Sequence, residues 1–287
     1  MDICYLGSVE LILLVHSSRD IAGVNIANCV LANYSFIKTD EVYQETPVYK
    51  AEFNYQKVTF ISLHEEAVNA QQLPQDFPEA RLIVFLSRHS SQSGKPTLSV
   101  HTPGNFAAAE LGGLPKTISV APAVAMQTAL KTMMRYKAQR SLLFDYQVSY
   151  ECTHHGPSLN VPTMFVELGS SPVQWSDTQA AEVVAHSAMA AVVNSVESSS
   201  SVAVLGIGGT HYNQKFTTMA LVGAASFGHM IPKYAISNID ASMIRQCVER
   251  TQERVALALL DWKGIRSEDR PGLLVALKTA GLPYQRV

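Results

Sequence analysis

The sequence predicts an α/β protein, a three-layer α/β/α arrangement in which helices cover a mixed central sheet. Three observations carry that expectation. Short runs rich in Val, Ile and Phe recur along the chain at strand length. Longer segments with apolar residues at helical spacing separate them, the alternation that builds a mostly parallel or mixed sheet. No internal repeat and no composition break marks a linker. The 287 residues therefore read as one domain, 1–287, with 1–9 as a short N-terminal extension.

Strands are expected at Glu10 to Val15, Lys57 to Leu63, Leu82 to Leu86, Thr97 to His101, Asp145 to Thr153, Thr163 to Leu168, Val202 to Gly206 and Phe227 to Ile231. The first helix starts from Asp20, whose carboxylate can accept from exposed first-turn amides, and runs to about Leu31. Ser176 or Asp177 caps an Ala-rich helix reaching about Val196. Further helices fall at Ala123 to Arg140, Asp240 to Leu260 and Pro271 to Ala280. The Ser198 to Ser201 run reads as a loop, and Ser87 to Asn105 and Gly209 to Phe216 are the candidate functional loops.

A hydrophobic content of 47% supplies a sizeable core, yet no stretch approaches the roughly 18 apolar residues of a membrane span. The start Met1-Asp2-Ile3-Cys4-Tyr5 lacks the basic residues of a secretory signal, so a soluble, cytoplasmic protein is expected. Cys4, Cys29, Cys152 and Cys247 form no CxxC pair, which leaves neither a disulfide framework nor a cysteine zinc ribbon. A net charge of −2 excludes coating of nucleic acid through bulk charge. A local basic patch is compatible with it: Lys131 and Arg135 stand one helical turn apart and share a face.

The histidines are the informative residues, because several end a predicted strand, where the loops of an open α/β sheet gather ligands. His89 follows Leu82-Ile83-Val84-Phe85-Leu86, His101 ends Thr97-Leu98-Ser99-Val100, His154 and His155 follow Tyr150-Glu151-Cys152-Thr153, and His211 follows the run from Val204 to Thr210. Any one alone reads as an ordinary hydrogen-bonded histidine. As a set they suit zinc or acid/base chemistry. His16, His64 and His186 have no such setting.

Glu167 lies in Thr163-Met164-Phe165-Val166-Glu167-Leu168, a run that reads as a buried strand, where a carboxylate must be paired or bind metal. It can serve as ligand, orienting group or general base beside His154 and His155. Adjacent residues of a strand face opposite ways, so those two histidines share a site only once the strand has ended, which Gly156-Pro157 provides. Cys152 reads as a small core residue rather than a nucleophile. Gly208 and Gly209 can turn the chain and present N–H groups to an anion or a carbonyl oxygen.

The runs Leu86-Ser87-Arg88-His89, Leu98-Ser99-Val100-His101, Thr153-His154-His155-Gly156-Pro157, Pro162 to Ser170 and Gly206-Ile207-Gly208-Gly209-Thr210-His211-Tyr212 resemble, in order, the archaeal and plant family of D-aminoacyl-tRNA deacylases. The resemblance extends from about Glu10 to Ile231. It implies hydrolysis of the ester between a D-amino acid and the terminal ribose of tRNA, dependence on Zn²⁺, and a fold like nucleoside phosphorylases and peptidyl-tRNA hydrolases. From chemistry, the expected metal ligands come from His89, His101, His154, His155 and Glu167, with Glu167, His155 and His211 as catalytic groups. Gly208, Gly209, Lys95, Lys131 and Arg135 are the expected substrate contacts, the three cations reaching the acceptor end of the aminoacyl-tRNA. A monomer without an obligate protein partner or membrane is expected. Two rival readings are a phosphorylase-like enzyme, which lacks an evident arginine-lined phosphate loop, and a non-catalytic module that binds tRNA or metal.

Overall fold

Residues 11–140, 143–194 and 201–287 are described by a computed structural model. The strands are β1 (Leu11–Ser17), β2 (Ile37–Tyr43), β3 (Thr46–Phe53), β4 (Gln56–Leu63), β5 (Ala80–Ser90), β6 (Thr97–His101), β7 (Gln147–Tyr150), β8 (Thr163–Ser170), β9 (Val202–Ile207), β10 (Ser226–Ile231), β11 (Arg254–Leu260) and β12 (Tyr284–Arg286). The helices are α1 (Ile21–Asn33), α2 (Leu73–Asp76), α3 (Ala123–Ala138), α4 (Pro172–Trp175), α5 (Thr178–Val193), α6 (Gln214–Leu221), α7 (Ala241–Glu249) and α8 (Arg270–Ala280). The strands form an eight-stranded mixed sheet, β2-β3-β4-β1-β5-β8-β6-β7, and a four-stranded sheet, β10-β9-β11-β12. The expected mixed sheet flanked by helices is thus present.

Local chemistry explains the helix starts. Asp20, Asp177, Asn213 and Asp240 each accept a hydrogen bond from a first-turn amide of α1, α5, α6 and α7. At the start of α3, Pro122 offers no such side chain, and a distant residue takes over: the Glu253 carboxylate accepts from the amides of Ala123 and Val124, both at 2.9 Å.

Period-two alternation sorts the centre of the large sheet. Val84, Leu86, Val100, Val166 and Leu168 enter the main core under α1, α3 and α5. Phe85 and Phe165 face the other way and stack at 4.6 Å. The chain after β7 ties the two sheets together: Cys152 N–H donates to His211 O and Thr153 N–H to Met230 O.

Three expectations need correction. The helix placed over Asp240 to Leu260 ends at Glu249, and Arg254–Leu260 is β11, paired to β9 and β12. A short apolar run flanked by strands on both sides carries no alternation that would tell it from helix. The strand placed over Asp145 to Thr153 spans only Gln147–Tyr150, because beyond Tyr150 the chain leaves β6 for the second sheet. The hairpin β2–β3 went unassigned; β2 is a largely exposed, polar edge strand with little apolar signal. The N-terminal extension, Cys4, Val196 and Ser198 to Ser200 lie outside the described residues.

Candidate active site

Three neighbouring strands supply the floor of the site. In register, Ser87 of β5 stands opposite Glu167 of β8 and Ser99 of β6; one step away lie His89 beside Gly169, and His101 beside Phe165. The residues Ser87, His89, Glu167 and His101 therefore share the face opposite the main core. His89 is 6% exposed, His101 0% and Glu167 3%.

The segment after β7 delivers the rest. Glu151, fully buried, stands at the end of β7. The strand ends there, well before Gly156-Pro157, and His155 adopts a left-handed φ of +43°, so His154 and His155 both come to the site. Gly156 is required by close approach: a Cβ on it would stand 2.2 Å from the Gly113 nitrogen and 2.5 Å from Val68 O. His211 and Tyr212 arrive from the turn after β9. That turn needs Gly209, with φ +76° and Asn213 Nδ2 at 2.3 Å from a built Cβ.

Glu151 is the hub. Its Oε2 accepts from His211 Nε2–H at 2.9 Å and lies 3.7 Å from His154 Nε2, while its Oε1 lies 3.1 Å from His89 Nδ1. His211 Nδ1 in turn meets the Tyr234 hydroxyl at 3.0 Å, and Tyr212 holds His89 Nε2 at 2.7 Å. Glu167 Oε2 stands 3.8 Å from His89 Nδ1 and 3.9 Å from His101 Nδ1. Burial pushes Glu167 well above the usual carboxylate range, and the Glu151 charge adds to it. Burial acts the same way on Glu151, yet hydrogen bonds from His211 and His89 outweigh it and hold Glu151 well below that range. One carboxylate is ionised and its neighbour keeps a proton.

The imidazoles are poised as neutral ligands. His154 Nδ1–H donates to Cys152 O at 2.8 Å and His155 Nδ1–H to Gly156 O at 2.6 Å, which leaves both Nε2 atoms unprotonated in the neutral rings, that of His155 facing His101. Burial lowers His155 to about 4 and, with neighbouring imidazoles, His101 and His154 well below their ordinary value. His101 Nε2 and His155 Nε2 are 3.3 Å apart, close to the edge of a tetrahedron with roughly 2.0–2.1 Å zinc–nitrogen bonds. Buried His101 Nδ1 lacks a hydrogen-bond partner. Three overlapping groups have ligand atoms within 4.8 Å of one another: His101, His154 and His155; Glu151, His154 and His211; His89, Glu151 and Glu167. This donor set fits a zinc ion.

A cavity of about 430 Å³ opens over His89, His154, His155, His211, Glu151 and Glu167, lined also by Glu66, Val68, Arg88 and Leu111, while fully buried His101 packs against His154 and His155. The structure thus brings together His89, His101, His154, His155, His211 and Glu167, all singled out from the sequence. It does not bring the remaining candidates there. Gly208 N–H donates to Ile231 O and Gly209 N–H to Gly264 O, so neither amide is open to an oxyanion. Lys95, Lys131 and Arg135 are exposed and none lines the cavity; the Arg135 guanidinium lies over Tyr136 at 5.3 Å. Cys152 is fully buried in the main core, and burial raises its thiol pKa, as a structural cysteine requires. Glu151 was missed. Its signal was the one that exposed Glu167, a carboxylate in an apolar strand run. Arg88, Tyr212 and Tyr234 carried no separate signal.

Comparison with known proteins shows the family. Residues 76–285 match the family model of D-aminoacyl-tRNA deacylase. The D-aminoacyl-tRNA deacylase of Thermococcus kodakarensis is 34% identical over 273 residues, covering 93% of this chain and 96% of the relative. That of Methanocaldococcus jannaschii is 32% identical over 282 residues, covering 96% and 99%. A crystal structure of a conserved protein of unknown function superposes with a TM-score of 0.84 at 27% identity, over 96% of this chain and 95% of the other.

Proposed function

Since the chain belongs to the D-aminoacyl-tRNA deacylase family, we propose that the histidine–carboxylate cluster is where it hydrolyses the ester bond of D-aminoacyl-tRNA, releasing the free D-amino acid and tRNA. The observation that carries this reading is the convergence of four histidines and two buried carboxylates on one cavity, with a fifth histidine, His101, within ligand distance of His154 and His155.

Ester hydrolysis needs an activated water, stabilisation of the developing oxyanion and a proton for the leaving ribose oxygen. His101, His154 and His155 would hold a zinc ion, with Glu151 and Glu167 within reach. Bound there, zinc would supply Lewis acidity, polarising the ester carbonyl and acidifying water. The carboxylate pair accepts the water proton, and Glu151, in direct contact with His211, is the nearer member to the proton path. The proton taken up by the carboxylate pair is returned to the leaving ribose oxygen, and His211, held by Glu151 on one nitrogen and Tyr234 on the other, orients Glu151 for both transfers. Tyr212 fixes His89 in the same way. Small and apolar lining residues, Ala67, Val68 and Leu111, support a broad range of D-amino acids and a role in clearing mischarged tRNA. Among the described residues no helix is long and apolar enough to cross a membrane, and the tRNA substrate favours the cytoplasm. We place the protein there as a monomer, acting on the acceptor end without a protein partner.

The test is a paired deacylation of D-Tyr-tRNA and L-Tyr-tRNA. Selective release from the D form is expected; equal rates would overturn the chiral assignment, and no release from either would overturn the enzymatic one. Chelation should abolish turnover and added zinc restore it. Full activity after exhaustive chelation would exclude the zinc scheme.

A further inference from the structure

Two smaller cavities adjoin the main one and meet at a single turn.

 Leaving β10 at Ile231, the chain passes through Pro232, Lys233 and Tyr234. Lys233 N–H donates to Gly209 O at 3.0 Å and Ala235 N–H to Pro232 O at 3.0 Å, which pins the turn against the glycine turn that carries His211.

Adjacent residues of this turn line different cavities. Tyr234 lines one of about 300 Å³ that shares His154, His155 and Leu111 with the main cavity. Lys233 lines one of about 270 Å³ that shares Tyr212 with it. Tyr234 is 55% exposed although its hydroxyl is held at His211 Nδ1, and its ring lies within 18° of parallel to that imidazole. An aromatic face kept open to solvent and fixed in direction is a stacking platform. In the second cavity Lys215 is occupied by Asp261 at 2.6 Å and Val287 O at 2.9 Å, whereas Lys233 is exposed.

We infer that Lys233 and Tyr234 form a clamp for the single-stranded 3′ end of the tRNA, Tyr234 stacking on the terminal adenine and Lys233 pairing with the phosphate of that nucleotide. The assignment rests on the reading that the substrate is an aminoacyl-tRNA. An aromatic face for a base next to a cation for its phosphate is the pairing that single-stranded nucleic acid requires. It sets the terminal ribose beside His154, His155 and His211, and leaves the main cavity to the aminoacyl group. Tyr234 is in addition a positioning residue for His211.

The experiment is deacylation of D-Tyr-tRNA in competition with uncharged tRNA, intact or lacking only its terminal adenosine. Wild-type protein should be inhibited more strongly by the intact competitor. Tyr234→Ala and Tyr234→Leu should raise KM about tenfold and inhibit equally with both competitors. Tyr234→Phe should keep KM and the preference for intact tRNA while lowering kcat, since it keeps the ring and loses the contact to His211. Lys233→Gln should reduce the slope of log KM against log salt by about 0.7, the share of one phosphate on a single strand. Unchanged KM and retained preference in both Tyr234→Ala and Tyr234→Leu would overturn the stacking role, and an unchanged salt slope in Lys233→Gln the phosphate role. Failure of wild-type protein to deacylate D-Tyr-tRNA would instead refute the activity on which the clamp rests.

Discussion

Glu151 and Glu167 come from segments of similar apolar character, yet they occupy unequal positions among the histidines. Glu151 reaches His211, His89 and His154 at 2.9, 3.1 and 3.7 Å, whereas the nearest histidine nitrogens to Glu167 are at 3.8 and 3.9 Å. Replacing Glu151 by Gln removes the negative charge beside His211 and the base that takes the water proton, and kcat on D-Tyr-tRNA should fall about 10²- to 10⁴-fold, the range of an acid–base group. Glu167→Gln should cost less in the same deacylation assay. The reverse order would mean that Glu167, not Glu151, is the acceptor. His155→Ala should abolish deacylation and lower bound zinc measured by mass spectrometry while circular dichroism stays native. Retention of full zinc and activity would remove His155 from the ligand set.

Elements are set by contacts that link distant segments as much as by local capping. The amides at the start of α3 are satisfied by Glu253, which is 4% exposed and 130 residues downstream of Ala123. Glu253→Ala would leave one buried and one half-buried donor unmet and should destabilise the fold by about 2 kcal/mol, read as a lower urea midpoint. An unchanged midpoint would show that water takes over those amides. The turn at Gly156 is the comparable element of the site. A methyl group there meets backbone of the Gly112–Gly113 loop, so Gly156→Ala should displace His155 and cut kcat at least tenfold. Wild-type kcat in that variant would show that the loop yields.

At the scale of the molecule, the site lies where the two sheets are stitched together, and a buried histidine outside the metal cluster helps to hold that seam. His229 Nε2–H donates to Arg250 O, and its Nδ1 meets the Thr153 hydroxyl at 3.1 Å. Burial lowers its pKa from 6.5 to about 4, so the folded protein keeps it neutral while the unfolded chain binds a proton below pH 6.5. Its contribution is therefore complete above pH 6.5 and is lost as pH falls towards 4, by about 3 kcal/mol in all. His16, also lowered to about 4 by burial, acts with the same sign. Denaturant midpoints measured from pH 7 to pH 4 should fall along this limb, and the fall should be shallower in His229→Gln. An identical slope in that variant would remove His229 from the acid response.

The sequence by itself determined the α/β class, the family and most of the histidine cluster, because strand alternation and strand-end position are local properties of the chain. Glu167 could be assigned to its strand from period two alone, and Gly156-Pro157 marked a break, whereas Ser87 and His89, read as the start of a loop after Leu86, lie in β5, where polar side chains on a buried strand hid its last residues from a hydrophobic pattern. It could not distinguish β11 from helix, since a strand flanked on both sides loses the alternation that local reading depends on. Only the tertiary structure decided which of the buried carboxylates is the hub and which cations face the cavity. Glu151 meets His89 and His211 across 62 and 60 residues of chain, and Lys233 and Tyr234 gain their places from the turn's bond to Gly209. Those relations depend on how the two sheets meet, and no periodicity within one segment encodes that.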